Sequence, residues 1–275
     1  MTLITVDSEL CNRDGICAAA CPMKIIAYAA EGDKTPSLVS GAEALCINCG
    51  HCVAVCPTAA LRLRNLSPPD CMTVNPAWAL DPARTEHFLR SRRSIRNYRK
   101  KPVPKKDMAQ LLDMARYAPS GHNLQPVKWL VVGGPDNVQA LTAHVIDWMR
   151  FMIQEHPEMA GPMHLDRAVA GWDRGMDVVC RNAPALVLAY AGKKDRTAPA
   201  ACTLAMAYLQ LAAPSLGLGS CWAGYFGMAA AQWPELQTAL DLPEGTVVHA
   251  AMMVGYPKFA YKRMPARKPA DIRWA

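Results

Sequence analysis

The spacing of cysteines constrains this chain more than any other sequence feature. Seven of its 11 cysteines lie between Cys11 and Cys56, in two runs of equal length, 11–22 and 46–57, that each end in Cys-Pro. Runs with the same length and spacing indicate an internal duplication. The first ten residues lack the basic and apolar regions of a secretory signal, so we expect a cytoplasmic protein whose clustered thiols bind metal. The remaining cysteines, expected to be buried and inert, are Cys71, Cys180, Cys202 and Cys221.

The second run reads CINCGHCVAVCP, which has the C-x2-C-x2-C-x3-C-P spacing of bacterial ferredoxins. Zinc is the alternative metal, but zinc motifs pair two separated C-x2-C units. The first run, CNRDGICAAACP, keeps the spacing and has Asp14 in place of the second cysteine. Residues 1–64 therefore resemble two-cluster bacterial ferredoxins, which implies an α+β module with a βαβ repeat.

This resemblance implies that each cluster takes ligands from both runs. The ligands of one complete 4Fe-4S cluster would be Cys46, Cys49, Cys52 and Cys21. Those of the other would be Cys11, Cys17 and Cys56, with Asp14 as a candidate carboxylate ligand. An oxygen ligand leaves its iron exchangeable, so this second cluster is either 4Fe-4S, which we favour, or 3Fe-4S after loss of that iron. Alternatively, Asp14 is a turn carboxylate beside Gly15 that does not bind iron.

Residues 65–83 are rich in proline, which predicts a semi-rigid linker before a larger domain at 84–275. In that domain, hydrophobic periodicity predicts helices around 88–91 and at 106–117, 199–215 and 229–240. It predicts strands at 127–132, 185–190 and 247–254. A segment punctuated by glycine, 217–227, separates the last two helices. The pattern is mixed α and β.

Four segments of this domain carry a second resemblance. They read SRRSIRNY at 91–98, APSGHNLQP at 118–126, LGLGSCWAG at 216–224, and VGYP at 254–257 followed by YKRMP at 261–265. In this order they resemble the FMN-dependent nitroreductase family, over residues 84–268. The resemblance implies a mixed sheet flanked by helices. It also implies FMN at the interface of a homodimer, with the second segment coming from the opposite subunit.

The candidate FMN-binding residues fall into four groups that match these segments. They are Arg92, Arg93, Ser94 and Arg96; Pro119, Ser120, Gly121, Asn123 and Gln125; Cys221, Trp222, Ala223 and Gly224; and Lys262 and Arg263. Guanidinium and hydroxyl groups in the first group suit a phosphate dianion, and amides and hydroxyls in the second suit a polar ring edge. The alternatives are a solvated basic helix end for the first group, a generic turn for the second and a basic tail for the last.

The formal charge of +7 does not indicate nucleic-acid binding, because Lys and Arg are spread along the chain without an aromatic-interleaved stripe. No stretch reaches the roughly 18 uncharged apolar residues that a membrane span needs. Iron-sulfur clusters and an FMN phosphate would also offset much of the positive charge. We therefore expect neither nucleic acid nor membrane as a partner.

No catalytic nucleophile or base stands out in these motifs, so we expect FMN itself to carry the chemistry. The fusion predicts that electrons pass from an external donor, either a ferredoxin-type protein or NAD(P)H, through the clusters to FMN. The acceptor would be an electron-poor small molecule such as a nitroaromatic or a quinone. The alternative is an electron-transfer module whose physiological partner is another redox protein.

Overall fold

The computed structural model describes residues 2–28, 32 and 34–275, and the chain divides into two compact units. The first unit extends to Ala79 and also includes the short segment His122–Leu124, whereas the second contains Leu80–Gly121 and Gln125–Ala275. Most of the expected linker thus belongs to the first unit. Two 3-10 turns order it, and its residues Leu66 and Cys71 pack against the hydrophobic core of that unit.

Among its described residues, the first unit contains four short strands and three short α-helices. The strands are β1 (Ile4–Val6), β2 (Ile26–Ala27), β3 (Ser37–Leu38) and β4 (Leu61–Leu63). The helices are α1 (Ile16–Ala20), α2 (Ala42–Leu45) and α3 (His51–Ala54). Strand β1 pairs with β4 and β2 pairs with β3, both antiparallel. Each half of the duplication therefore contributes one strand to each sheet, which confirms the α+β character of this module.

The duplication is also visible in the backbone. Three corresponding positions of the two halves have a left-handed φ: Arg13 (59°), Gly15 (72°) and Lys24 (53°), and Asn48 (50°), Gly50 (74°) and Ala59 (57°). Gly15 and Gly50 each stand immediately before the helix that carries the next cysteine. Glycine populates this region without a steric penalty. At Gly50 a Cβ atom would also lie only 2.8 Å from Cδ2 of Leu66.

The second unit contains a four-stranded sheet and eight helices among the described residues. The strands are β5 (Lys128–Gly133), β6 (Ala185–Gly192), β7 (Gly219–Trp222) and β8 (Thr246–Gly255), which pair antiparallel in the order β5-β6-β8-β7. The helices are α4 (Pro82–Ser91), α5 (Lys105–Ala115), α6 (Pro135–Glu155), α7 (Pro157–Ala160), α8 (Leu165–Asp173), α9 (Ala198–Ala212), α10 (Gly224–Gln232) and α11 (Pro234–Leu240).

Helices cover both faces of this sheet. In β6, Leu186 and Leu188 belong to a core that includes residues of α6, α8, α10 and α11, whereas Val187 and Ala189 belong to a second core with α5 and α9. Successive side chains of a strand point to opposite faces, so a strand buried on both faces must be apolar throughout. This requirement explains the uninterrupted apolar sequence of β6.

The predicted elements of this unit are confirmed, with two differences. The segment 229–240 contains the end of α10 and then α11, because Pro234 cannot donate a backbone hydrogen bond and begins a new helix. The glycine-punctuated segment 217–227 contains β7, which pairs with β8. The long helix α6 was not predicted. No helix in the described part of the chain combines the length and the apolar character that a bilayer span requires.

The arginine-rich segment after α4 lies beside the edge strand β7. The backbone N–H of Ile95 donates to the carbonyl oxygen of Ser220 at 3.0 Å, and Ser94 forms a parallel bridge with Ser220. Further along, Tyr98 forms an antiparallel bridge with Pro257, just after β8. The segment therefore extends the sheet at this edge.

Replacing Gly255 at the end of β8 with Ala should destabilise the second unit. The added Cβ would lie 2.6 Å from Cδ of Pro184 and 2.8 Å from Cδ1 of Tyr98, and overpacking of this kind costs about 1–3 kcal/mol. The matched control is Gly133→Ala at the end of β5, where a Cβ meets nothing within 4 Å. Chemical unfolding should show a lower midpoint for Gly255→Ala than for Gly133→Ala; equal midpoints would contradict this packing.

Candidate functional site

Four cysteines line one cavity in the first unit, and they come from both runs. They are Cys21, Cys46, Cys49 and Cys52. The rest of the lining is largely apolar and includes Leu3, Ile25 and Leu63. Among the described residues, no three His, Cys, Asp or Glu side chains converge on a single-ion position. Thiols arranged around an apolar cavity fit a polynuclear cluster, whose irons take one thiolate each.

The other cysteines of the two runs form a second group. Burial raises the pKa of the Cys17 thiol, and the neighbouring thiols of Cys11 and Cys56 raise it further. In the first group, burial raises the pKa of Cys52 to about 11, and Cys49 and Cys21 contribute in the same direction. The two groups correspond to the crossed ligand sets that the resemblance implied. Because only thiolates bind iron, loading these sites must release protons.

Asp14 is exposed and its carboxylate already has one partner. Its Oδ1 atom accepts a hydrogen bond from the backbone N–H of Ile16 at 3.1 Å, at the start of α1. This contact matches the turn-carboxylate alternative. It occupies one carboxylate oxygen, so iron ligation by Asp14 stays a prediction.

A cavity of about 450 Å³ in the second unit is lined by Arg92, Arg93 and the beginning of β7; we call it the arginine cavity. Three buried atoms of its lining residues have no hydrogen-bond partner in the described part of the chain: Nη2 of Arg93, Nε2 of Gln210 and Oγ of Ser220. Unpartnered buried polar groups are rare in folded proteins. Their concentration in one cavity fits a polar or anionic ligand.

The structure does not bring all the predicted phosphate ligands to this cavity. Arg96 lines a different cavity of the same unit. Lys262 and Arg263 are exposed on a segment without regular structure, although Tyr261, the residue before them, lies in the arginine cavity. Ser94 lies in sequence between Arg93, which lines the arginine cavity, and Arg96, which does not, and it forms the bridge to Ser220.

The predicted ring-contact segment is divided between the two units. Pro119, Ser120 and Gln125 line a small cavity of about 130 Å³ in the second unit, and the Ser120 hydroxyl accepts the backbone N–H of Gln125 at 2.9 Å. Gly121 also belongs to the second unit. Asn123 groups with the first unit, where its Nδ2 donates to the carbonyl oxygen of Asn48 at 2.9 Å. That carbonyl lies in the loop between two cluster cysteines.

The predicted flavin-contacting backbone lies where β7 leads into α10. Cys221 and Ala223 are buried, whereas Trp222 and Gly224 are exposed. Among the described residues no side chain caps α10, so its first N–H groups are available at this point. A Cβ on Gly224 would meet nothing within 4 Å. The arrangement offers backbone donors beside open space, which suits a flat ring.

Comparison with known proteins identifies both parts of the chain. The nitroreductase family model matches residues 89–256, and the 4Fe-4S dicluster domain model matches residues 9–60. The chain belongs to the nitroreductase family. Both resemblances inferred from the sequence are therefore confirmed.

The alignments with individual relatives extend over most of the length of each relative. An NADH dehydrogenase of Thermus thermophilus is 30% identical over 175 residues, which are 60% of this chain and 83% of the relative. A chloronitrobenzene nitroreductase of Comamonas testosteroni is 26% identical over 197 residues, with coverages of 62% and 86%. The crystal structure of a nitroreductase with bound FMN from Desulfitobacterium hafniense superposes with a TM-score of 0.56 at 22% identity, covers 70% of this chain and 97% of its own, and shows the fold.

Two polar residues of the nitroreductase domain were missed by the sequence analysis. Gln210 is buried in α9, a helix otherwise composed mainly of Ala, Leu and Met, and Ser220 is buried in β7. A single amide on an apolar helix was the available signal for Gln210. The sequence offered no signal for Ser220, because its role depends on which backbone segment lies beside β7. The structure buries Cys180, Cys202 and Cys221 as expected, while Cys71 is half-buried.

Paired cysteine variants should reveal the crossed ligation of the dicluster domain. Cys21→Ser and Cys49→Ser should each remove the same cluster, so the double variant should lose only about four irons. Cys17→Ser combined with Cys49→Ser should lose both clusters, because Cys17 belongs to the other thiol group. Iron and sulfide assays with EPR of the reduced protein measure this. Loss of both clusters in Cys21→Ser/Cys49→Ser would contradict the crossed arrangement.

Proposed function

We propose that this protein is an iron-sulfur flavoprotein oxidoreductase in which two clusters pass electrons to FMN, which reduces an electron-poor small molecule. The observation that carries the proposal is the four-thiol cavity in a chain that also contains a nitroreductase domain. Tethering one-electron carriers to a flavin domain raises their effective concentration near the flavin. FMN, when bound, supplies the two-electron chemistry.

The first unit would hold one 4Fe-4S cluster with Cys21, Cys46, Cys49 and Cys52. The second cluster would be held by Cys11, Cys17 and Cys56, with Asp14 or water at its fourth iron. Apolar residues around the first thiol group exclude water and lower the local dielectric, which sets the reduction potential together with hydrogen bonds to sulfur. Thr58 is placed for such a bond, with its Oγ1 3.7 Å from Sγ of Cys56.

The second unit would hold the flavin through its arginine cavity and the start of α10. Arg92 and Arg93 supply guanidinium groups that can bind phosphate oxygens in pairs. Ser220 and Gln210 bring buried polar atoms that lack partners among the described residues. Gly224 leaves the space beside the first turn of α10 open. The predicted ring contacts of the second segment, including Ser120, would be supplied by a second copy of the chain in a homodimer.

The relatives support the choice of donor and acceptor. One similar protein is named an NADH dehydrogenase and another a chloronitrobenzene nitroreductase. We therefore propose a nitroaromatic, quinone or similar ring as the acceptor, and either NAD(P)H or a ferredoxin-type protein as the donor. If the physiological acceptor is instead another redox protein, small acceptors should turn over only slowly unless that protein is present.

An anaerobic titration of the purified protein should show flavin and clusters reduced together by a low-potential ferredoxin-type donor. We expect one FMN and roughly eight irons per chain, because a dicluster domain holds two cubanes. Visible spectra follow the flavin, EPR follows the clusters, and NADPH is the second reductant tested.

The control for this titration is Cys49→Ser, which removes a cluster ligand from the first unit and leaves the second unit unchanged. It should retain FMN and slow flavin reduction by the low-potential donor. If wild-type flavin is reduced by NADPH while the clusters stay oxidised, the clusters are accessory and the relay is wrong. Absence of FMN from the purified protein would overturn the flavoprotein assignment itself.

Asp14→Cys should protect the second cluster against oxidative loss of iron. A fourth thiolate replaces the weaker oxygen donor, so mild ferricyanide treatment should yield the EPR signal of a 3Fe-4S cluster in the wild type and much less of it in the variant. The control is Asp14→Asn, whose side-chain oxygen can still accept the Ile16 N–H. Equal 3Fe-4S signals in wild type and Asp14→Cys would show that Asp14 does not lie at the exchangeable iron.

A further inference from the structure

A third cavity in the second unit has a strongly basic lining; we call it the basic cavity. Its volume is about 740 Å³, within the roughly 300–1,000 Å³ typical of small-molecule sites. Six of its lining residues are Lys or Arg and none is Asp or Glu. The six are Arg96, Arg99, Lys100, Lys101, Arg181 and Lys258. Asp136 follows the lining residue Pro135 but does not itself line the cavity.

These cations have no carboxylate partners among the residues that the structure describes. In the described part of the chain, none of the six forms an ion pair with Asp or Glu. Arg99 donates from Nε to the carbonyl oxygen of Pro257 at 3.0 Å, and Nζ of Lys101 lies 4.2 Å from the ring centre of Tyr256. Like charges held near one another repel. A cavity lined by these cations therefore favours an anionic ligand.

A folded loop brings Arg181 to this cavity. The buried carboxylate of Asp177 accepts three backbone N–H groups, from Val179, Cys180 and Asn182, at 2.8–2.9 Å. Arg181 and the next residue have left-handed φ values of 58° and 50°. Such a backbone is unfavourable for a non-glycine residue and is often found at functional sites. The loop is thus held in a specific shape that places these two residues in the lining.

The remaining walls of the cavity are apolar or aromatic. Pro102, Pro135 and Pro184 line it together with Tyr98, which is half-buried and whose hydroxyl donates to the Ile95 carbonyl oxygen. Flat apolar walls beside guanidinium and ammonium groups suit a ligand that combines a ring with phosphates. We infer that the basic cavity binds a nucleotide-type ligand carrying two or more phosphate groups.

This ligand differs from the flavin that we assign to the arginine cavity. FMN carries a single phosphate, whereas the six lining cations, which pair with no carboxylate in the described ranges, can balance a larger anionic charge. Of the predicted flavin ligands, Arg96 lines the basic cavity, and Arg92 and Arg93 do not; Arg99 lines both cavities. The inference needs only the charge and shape of the basic cavity, so it does not rest on the proposed function.

Calorimetry on the purified protein tests the inference. Pyrophosphate is the probe, because it is the diphosphate group that the candidate nucleotides have in common, and inorganic phosphate is the single-phosphate reference. We expect saturable binding of pyrophosphate, tighter than that of phosphate. Comparing the affinities of ATP, NADP⁺ and NAD⁺ then shows which kind of nucleotide carries the diphosphate group that binds. The flavin and iron contents of the same samples are measured, so failure of this inference is separate from failure of the proposed function.

Arg181→Ala and Lys100→Ala should each weaken pyrophosphate binding, together by about tenfold or more, since charge-assisted hydrogen bonds are among the stronger ones. Both residues are exposed, so the variants should fold. The matched control is Arg174→Ala, an exposed arginine outside the lining. Equal weakening in all three variants, no saturable binding, or release of FMN by pyrophosphate would overturn the inference.

Discussion

The four-thiol cavity exists only because the two halves of the first unit fold against each other. Cys21 comes from the first cysteine run, and its three companions come from the second. The exchanged strands, β1 with β4 and β2 with β3, hold the halves in this arrangement. Neither half alone brings four thiols together, so cluster binding and the fold of this unit are coupled. Iron bound by the folded state should therefore stabilise it.

In the second unit, the constraint is a sheet buried on both faces. Burial leaves β6 and the centre of β8 without access to a ligand. Polar and charged groups can then gather only at the sheet edge and at strand ends. The arginine-rich segment beside β7, the turn into α10 and the loop before β6 all lie in such places. This explains why the candidate flavin-binding residues lie in several short segments that are far apart in sequence.

The two large cavities of this unit have different chemistry. The arginine cavity combines three guanidinium groups, those of Arg92, Arg93 and Arg99, with buried Gln210 and Ser220, which are groups suited to a few directed hydrogen bonds. The basic cavity has exposed cations without carboxylates, which suits a ligand of high negative charge. Arg92 and Arg96 are four residues apart in sequence and line different cavities, so spacing alone could not have assigned them.

The sequence by itself determined the ferredoxin-type module, the nitroreductase family and the main strands. Cysteine spacing and apolar periodicity are local properties that survive without knowledge of the fold. The tertiary structure decided the surroundings of four residues: Asn123, Gln210, Ser220 and Arg181. The surroundings of Asn123 and Ser220 depend on backbone that is distant in sequence: the cluster loop near Asn123 and the arginine-rich segment beside β7. Arg181 lies in a local loop around Asp177, but the segment 96–102 that lines the same cavity is distant in sequence. A local pattern carries no information about which distant segment will lie beside it, because that is set by packing of the whole domain.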